Sequence, residues 1–149
     1  MTLCDTLVLF DVDMTLISRA RSHRSAFIDS IKEVYGIDPS HSRVAFHGMT
    51  DPQIVVEVLT AKGVGVEQIE AGLDRCLRRM TEIFEQLIES DTFTALEGAA
   101  HLLANLEQSG ARLGLVIGNL ERIAWKKLER VGLRRFFSIG GFGSDNRHR

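Results

Sequence analysis

The sequence predicts an α/β protein: a parallel sheet of about three strands, interrupted after its first strand by a long helical insert. Three observations carry this reading. Leu7–Phe10 and Leu113–Ile117 are continuous apolar runs, the pattern of strands buried on both faces of a parallel sheet. Helical periodicity lies directly before and after the second run, which gives the helix–strand–helix–strand order of parallel units. From about Ser18 to Ser90 only helical patterns occur, a stretch too long for a single crossover.

The elements follow in order. The first strand ends at Asp11 and Asp13. Phe27, Ile31, Val34 and Tyr35 then fall at i, i+4, i+7 and i+8, and Gly36 is the stop signal. Asp51-Pro52 reads as a cap followed by proline at the first helical position; Ile54, Val55, Val58 and Leu59 form one face and Gly63 ends it. Ile69, Leu73, Cys76, Leu77, Met80, Ile83, Phe84 and Leu87 form a long apolar stripe. Ala99, Leu102, Leu103 and Leu106 predict a helix closed by Gly110, and Ile123, Ala124, Leu128 and Val131 one closed by Gly132. Phe136–Ile139, followed by Gly140-Gly141, is a weaker third strand. No internal repeat or low-complexity segment is present.

Composition narrows the class. A length of 149 residues suits about one domain. With 18 basic and 20 acidic residues the net charge is -2, which argues against a nucleic-acid binder. Apolar residues at 44% and charged residues at 26% are ordinary for a globular chain able to bury a core. Cys4 and Cys76 form neither a disulfide framework nor a metal-binding pair, which fits a reducing cytoplasm. The first apolar run is too short, and too quickly followed by acids, for a signal peptide or membrane span.

Asp11-Val12-Asp13-Met14-Thr15 follows the first strand, at the carboxyl edge where open parallel sheets bind ligands. Of two carboxylates there, one can attack as a nucleophile while the other moves a proton, and together they suit a hard cation such as Mg²⁺. The same residues also read as a solvated, helix-capping turn. On a helical wheel at ~100° per residue, Lys127 falls on the apolar arc of Ile123, Ala124, Leu128 and Val131, whereas Lys126 falls opposite with Glu129 and Arg130. An inward lysine needs an anionic partner, for which the first-strand carboxylates are candidates, or it snorkels to solvent. Gly118-Asn119 follows the second strand, either as a plain turn or as amides that hold a phosphate.

These segments together resemble the haloacid dehalogenase superfamily. Leu-Phe-Asp11-Val-Asp13-x-Thr15-Leu is similar to its first motif, Leu-Gly-Leu-Val-Ile-Gly118-Asn119 to its second, and Lys127-Leu-Glu-x-x-Gly-Leu to its third. Gly48-Met-Thr50-Asp51-Pro-Gln-Ile resembles the cap segment of phosphoglycolate-phosphatase-like members. The resemblance implies a Rossmann-like core from residues 1–17 and 91–149, incomplete at its C-terminal end, and a helical cap at 18–90. It implies Mg²⁺-dependent hydrolysis of a small phosphomonoester, phosphoglycolate or a similar phosphorylated metabolite, through an aspartyl-phosphate. Asp11 would be the nucleophile and Asp13 the acid/base. Mg²⁺ would sit on Asp11 and the main-chain carbonyl of Asp13. Lys127 would hold the nucleophile and the transferred phosphoryl oxygens. Thr15 would support the motif turn and, with Gly118, Asn119, Thr50 and Asp51, line the substrate site.

Three departures qualify the match. Met14 stands where the family has glycine, which constrains the backbone. Ile117 stands where it has serine or threonine, which removes one hydrogen bond to the phosphoryl group. The fourth, acidic motif is expected beyond residue 149, after the family-like Gly141-Phe-Gly-Ser-Asp145. Without the later strands, Leu7–Phe10 is expected to form an exposed edge able to pair with a second copy. The alternative function is therefore a non-catalytic relative acting in binding or self-association. The dehalogenase branch lacks the second carboxylate, and phospho-acceptor receiver domains have an adjacent acidic pair and no large insert. His23, His41, His47, His101 and His148 show no metal-ligand spacing and read as surface or loop residues. Trp125 and the phenylalanines read as packing. The basic stretches Arg19–Arg24 and Arg75–Arg79 read as solvated helix faces, the first also able to attract an anion.

Overall fold

The computed structural model describes residues 5–148; Cys4 lies outside them. The elements are β1 (Leu7–Phe10), α1 (Arg21–Tyr35), α2 (Asp51–Ala61), α3 (Val66–Leu87), α4 (Ala99–Gln108), β2 (Arg112–Val116), α5 (Glu121–Arg130) and β3 (Ile139–Gly141). Short 3₁₀ turns follow α3 at Ile88–Ser90 and α5 at Arg134–Phe136. The three strands are parallel in the order β1-β2-β3, with Leu9 opposite Gly114 and Gly114 opposite Ile139. The protein is thus α/β, with a Rossmann-like three-stranded sheet and its helical segment inserted after β1.

The glycine stops act as expected. Gly36 takes φ 68°, a left-handed conformation, and its N–H closes α1 on Lys32. The stripe of α3 is the seam of the helical segment: Ile69, Leu73, Cys76, Met80, Ile83 and Phe84 are buried, each such large side chain contributing roughly 1.5–3 kcal/mol. α1 packs along this seam. The Tyr35 hydroxyl donates to the Ile69 carbonyl at 2.7 Å, and Gly72 leaves room for the Tyr35 ring. The Cys76 thiol, pushed up to about 11 by burial, is a packing group that donates toward Ser30. At the other end of α3, Arg130 of α5 donates to the carbonyls of Ile88, Glu89 and Asp91, tying the insert to the sheet side.

Chain exit and return lie side by side. Ile17 bridges both Asp13 and Ala95, Ser18 N donates to the Thr94 carbonyl, Thr94 N to Ser18 Oγ, and Leu96 N to the Leu16 carbonyl.

Three expectations need correction. The N-cap of α2 is Thr50, whose Oγ1 accepts from Gln53 N at 3.2 Å; Asp51 is already the first helical residue and Pro52 the second. The third strand starts at Ile139 rather than Phe136. Phe136 and Phe137 are core residues in and just after a 3₁₀ turn, and the strand forms at Gly140, where a Cβ would collide with the Phe142 ring. Finally, β1 is not buried on both faces. It lies at the sheet edge, and the residues on one face of the sheet stay open: Leu7 is 49% exposed, Leu9 52% and Ile139 48%. Val8 and Phe10 point to the other face and pack against the core. Apolar runs report what strands can bury, and not whether another layer is present to cover them.

Candidate active site

The carboxyl ends of β1 and β2 meet the amino ends of α1, α2 and α5. Asp11 and Asp13 leave β1, Gly118 and Asn119 leave β2, His23 sits in the first turn of α1, and Asp51 begins α2. Lys127 reaches the same place from α5. It is fully buried, and its Nζ lies 2.8 Å from both carboxylate oxygens of Asp13, 2.8 Å from Asn119 Oδ1 and 3.0 Å from His23 Nδ1. An ammonium has three N–H donors and no acceptor. One is therefore shared across the Asp13 carboxylate, and Asn119 and His23 take one each. Such saturation is what makes a dry ammonium tolerable.

Lys127 therefore does not hold Asp11, as the family pattern implied. Its donors are all spent on Asp13, Asn119 and His23. Among the described residues, the Asp11 carboxylate takes the N–H of Val12, at 3.0 Å. Asp13 is one-third exposed. Burial pushes its carboxyl up, but the Lys127 ammonium, with a hydrogen bond from Asn119, holds it below the usual aspartate value.

The helical segment is seated on this end by main-chain contacts. Asp51 N donates to the Gly118 carbonyl at 2.7 Å, and Asp51 Oδ2 accepts from Leu120 N at 2.9 Å, so Asp51 brackets Asn119. Its carboxylate thereby sits at the amino end of α5, where the helix dipole favours negative charge. Gly118 has no room for a side chain: a Cβ would overlap the Met49 carbonyl. Gly143 likewise packs on Gly118, and its N–H donates to the Asn119 carbonyl at 2.8 Å. Thr50 Oγ1, besides capping α2, donates to the Arg147 carbonyl.

The remaining residues singled out in the sequence are distributed as follows. Thr15 is exposed, and its N–H closes the motif turn on the Val12 carbonyl at 3.2 Å. Met14 is the one non-glycine described residue with positive φ, at 59°, and its side chain is 62% exposed. Ile117 is buried in the core and its N–H pairs with the Gly141 carbonyl, so the hydroxyl expected there is replaced by packing.

His23 was missed by sequence reasoning. It bridges Lys127 and Asp51, with Nε2 3.1 Å from Asp51 Oδ2, and its ring meets Phe84 edge-on. The signal was present. His23 lies three and seven residues before Ala26 and Ser30, both buried, so the wheel argument used for Lys127 also places it on the inner face of α1.

For a hard cation the oxygen donors at hand are the Asp11 carboxylate and the Asp13 main-chain carbonyl. Lys127 neutralises the Asp13 side chain and leaves Asp11 as the local anion. Among the described residues no group of three or more His, Cys, Asp or Glu is clustered for a metal. One or two carboxylates with water and substrate phosphate is nevertheless the usual complement for Mg²⁺, so these donors fit.

The family model for haloacid dehalogenase-like hydrolases matches residues 8–147, nearly the whole chain. This chain belongs to that family. Among solved structures, CbbY from Rhodobacter sphaeroides, in complex with phosphate, is similar with a TM-score of 0.66 at 19% identity, over 97% of this chain and 66% of that one. A hydrolase from Pseudomonas syringae gives 0.67 at 18%, over 96% and 63%. A predicted phosphoglycolate phosphatase from Haemophilus somnus gives 0.64 at 14%, over 98% and 65%. At such identities the likeness is one of fold, and the chain spans just under two thirds of the length of each of these structures. No curated protein matches the chain. Among the described residues, no helix of this family member is long and apolar enough to cross a membrane.

Proposed function

We propose that the chain carries the phosphoryl-transfer site of a cytoplasmic phosphatase acting on a small phosphomonoester, phosphoglycolate-like in size and charge. The core would comprise residues 1–17 and 91–149, with 18–90 as a cap. The observation that carries the reading is the convergence of Asp13, Asn119 and Lys127, beside Asp11, at the carboxyl ends of β1 and β2. The solved relative bound to phosphate has the same fold.

In this reading an Asp11 carboxylate oxygen attacks phosphorus, the bond to the leaving oxygen breaks, and protonated Asp13 gives its proton to that oxygen. Water then attacks the aspartyl-phosphate, Asp13 takes the proton of the water, and Asp11 and inorganic phosphate separate. Mg²⁺, held by Asp11 and the Asp13 carbonyl, would offset charge on the phosphoryl oxygens. Asp13 bound to Lys127 is ionised and suits the second step. To serve the first it must be released from the ammonium, which is then free to meet the phosphoryl oxygens. Gly118 and Asn119 present main-chain and amide groups to the phosphate, Thr15 steadies the motif turn, and Thr50 and Asp51 close the site from the cap side.

The test is Mg²⁺-dependent hydrolysis of an aryl phosphate by the purified chain beside Asp11→Asn. A rate abolished in the variant supports the reading; equal rates in both overturn it.

A second reading, association through the sheet, is favoured by the open face and edge at Leu7, Leu9 and Ile139. It predicts a dimer that Leu9→Lys dissociates. A compact monomer of the unmodified chain in sedimentation would rule it out.

A further inference from the structure

We propose that His23 is a positioning residue that makes the place of Lys127 depend on the seating of α2. The inference rests on the phosphatase reading for its catalytic consequence, and on geometry alone for its structural part. Lys127 can only donate, so the 3.0 Å contact makes His23 Nδ1 an acceptor. The ring proton is then on Nε2, which donates to Asp51 Oδ2 at 3.1 Å. The same Asp51 oxygen accepts from Leu120 N at the start of α5. A closed circuit results: Asp51 fixes the entry of α5, α5 carries Lys127, Lys127 bonds His23, and His23 returns to Asp51. Phe84 of α3, fully buried, lies edge-on to the imidazole and helps keep water from competing for it.

The charges around the ring come from every side. Asp51 on α2 and Lys127 on α5 touch it, and Asp13 after β1 lies beyond the ammonium. This arrangement selects one tautomer. The Nε2–H form satisfies both neighbours; the Nδ1–H form sets a donor against a donor at Lys127 and leaves the Asp51 oxygen one bond short. His23 thereby transmits the position of the α2 N-terminus to the ammonium. With α2 unseated, Lys127 keeps Asp13 and Asn119 but loses its third anchor.

The test is long-range ¹H–¹⁵N NMR of the imidazoles in the unmodified chain, without substrate, near neutral pH. A protonated Nε2 with an unprotonated Nδ1 at His23 is expected, and Asp51→Ala, which removes the acceptor, should shift the ring toward a mixture of tautomers. An Nδ1–H or averaged ring in the unmodified chain overturns the proposal whether or not any variant folds, as does an unchanged spectrum in a folded Asp51→Ala. The kinetic counterpart is His23→Leu, expected to lower kcat about ten- to a hundredfold while KM changes little. His23→Asn, whose Oδ1 can replace Nδ1 as acceptor, should recover part of the loss. A His23→Leu effect confined to KM counts against positioning. A chain with the expected tautomer but no phosphatase activity retains this inference and removes the reading it deepens.

Discussion

The two boundaries of the small sheet are finished to different standards. At the carboxyl ends of the strands every donor of Lys127 has a partner, drawn from the β1 loop, the β2 turn and α1. On the open face, a few residues away, Leu7, Leu9 and Ile139 are about half exposed. The contrast follows from the kind of interaction. A hydrogen bond is directional and belongs to one atom, so a buried ammonium missing a partner carries its whole penalty there. Apolar exposure costs roughly 25 cal/mol per Å² spread over many atoms, so an uncovered face weakens the fold gradually. Among the described residues, the donors of Lys127 are all satisfied while one face of the sheet is left open.

The sharpest way to break that contrast is Lys127→Ala. It leaves the Asp13 carboxylate without its counter-ion and a hole on the inner face of α5. We expect a loss of about 3 kcal/mol in urea unfolding, the low end for a broken buried pair because Asp13 is partly solvated. The acid limb should change with it. The pKa of Asp13 is depressed by folding, so its contribution is present above the unfolded value of about 4 and disappears as pH falls through the folded value. The unmodified protein should lose this stability below about pH 4, and Lys127→Ala should lack that component.

Gly118→Ala comes next. The added methyl meets a main-chain carbonyl that has no rotamer to escape into, so about 2 kcal/mol should be lost. Amide exchange at Asp51 and Leu120 should rise more than in α4. Equal protection at all these amides would show that the seating contacts are not a unit.

The smallest effect has the opposite sign. Met14→Gly removes the cost of a left-handed side-chain-bearing residue, partly offset by greater unfolded-state entropy. Thermal unfolding should report a gain of about 1 kcal/mol. A loss would mean that the exposed Met14 side chain contributes a contact of its own.

Much of this arrangement was legible in the sequence, for identifiable reasons. Gly36 marked the end of α1 because a left-handed residue suits glycine, and the spacing of the α3 stripe reported a seam that is indeed buried. Lys127 was placed inward by helical geometry alone, since angular position on a helix depends only on sequence separation. Its choice of Asp13 over Asp11 was not legible. Both acids leave the same strand, and the decision rests on where His23 and Asn119 direct the remaining donors. His23 itself was passed over because histidines were read for metal spacing rather than for facing. The third strand was misplaced because Phe136 and Phe137 are as apolar as any strand, while the pairing falls on glycines that leave room for Phe142. The position of β1 at the sheet edge was expected, but the open face was not, for a broader reason: periodicity records the chemistry of a strand, and cover depends on what else is present.

The adjoining crossings at Ser18 and Thr94 carry one more consequence. Because departure and re-entry are laced to each other, everything spliced between them is a detour with its two ends already joined. A different helical segment grafted at the same doorway would leave the pairing of β1 and β2 in place, but it would have to supply new partners for Lys127 and for the start of α5. Diversification of such a scaffold would then be confined to the detour and the few residues that it touches.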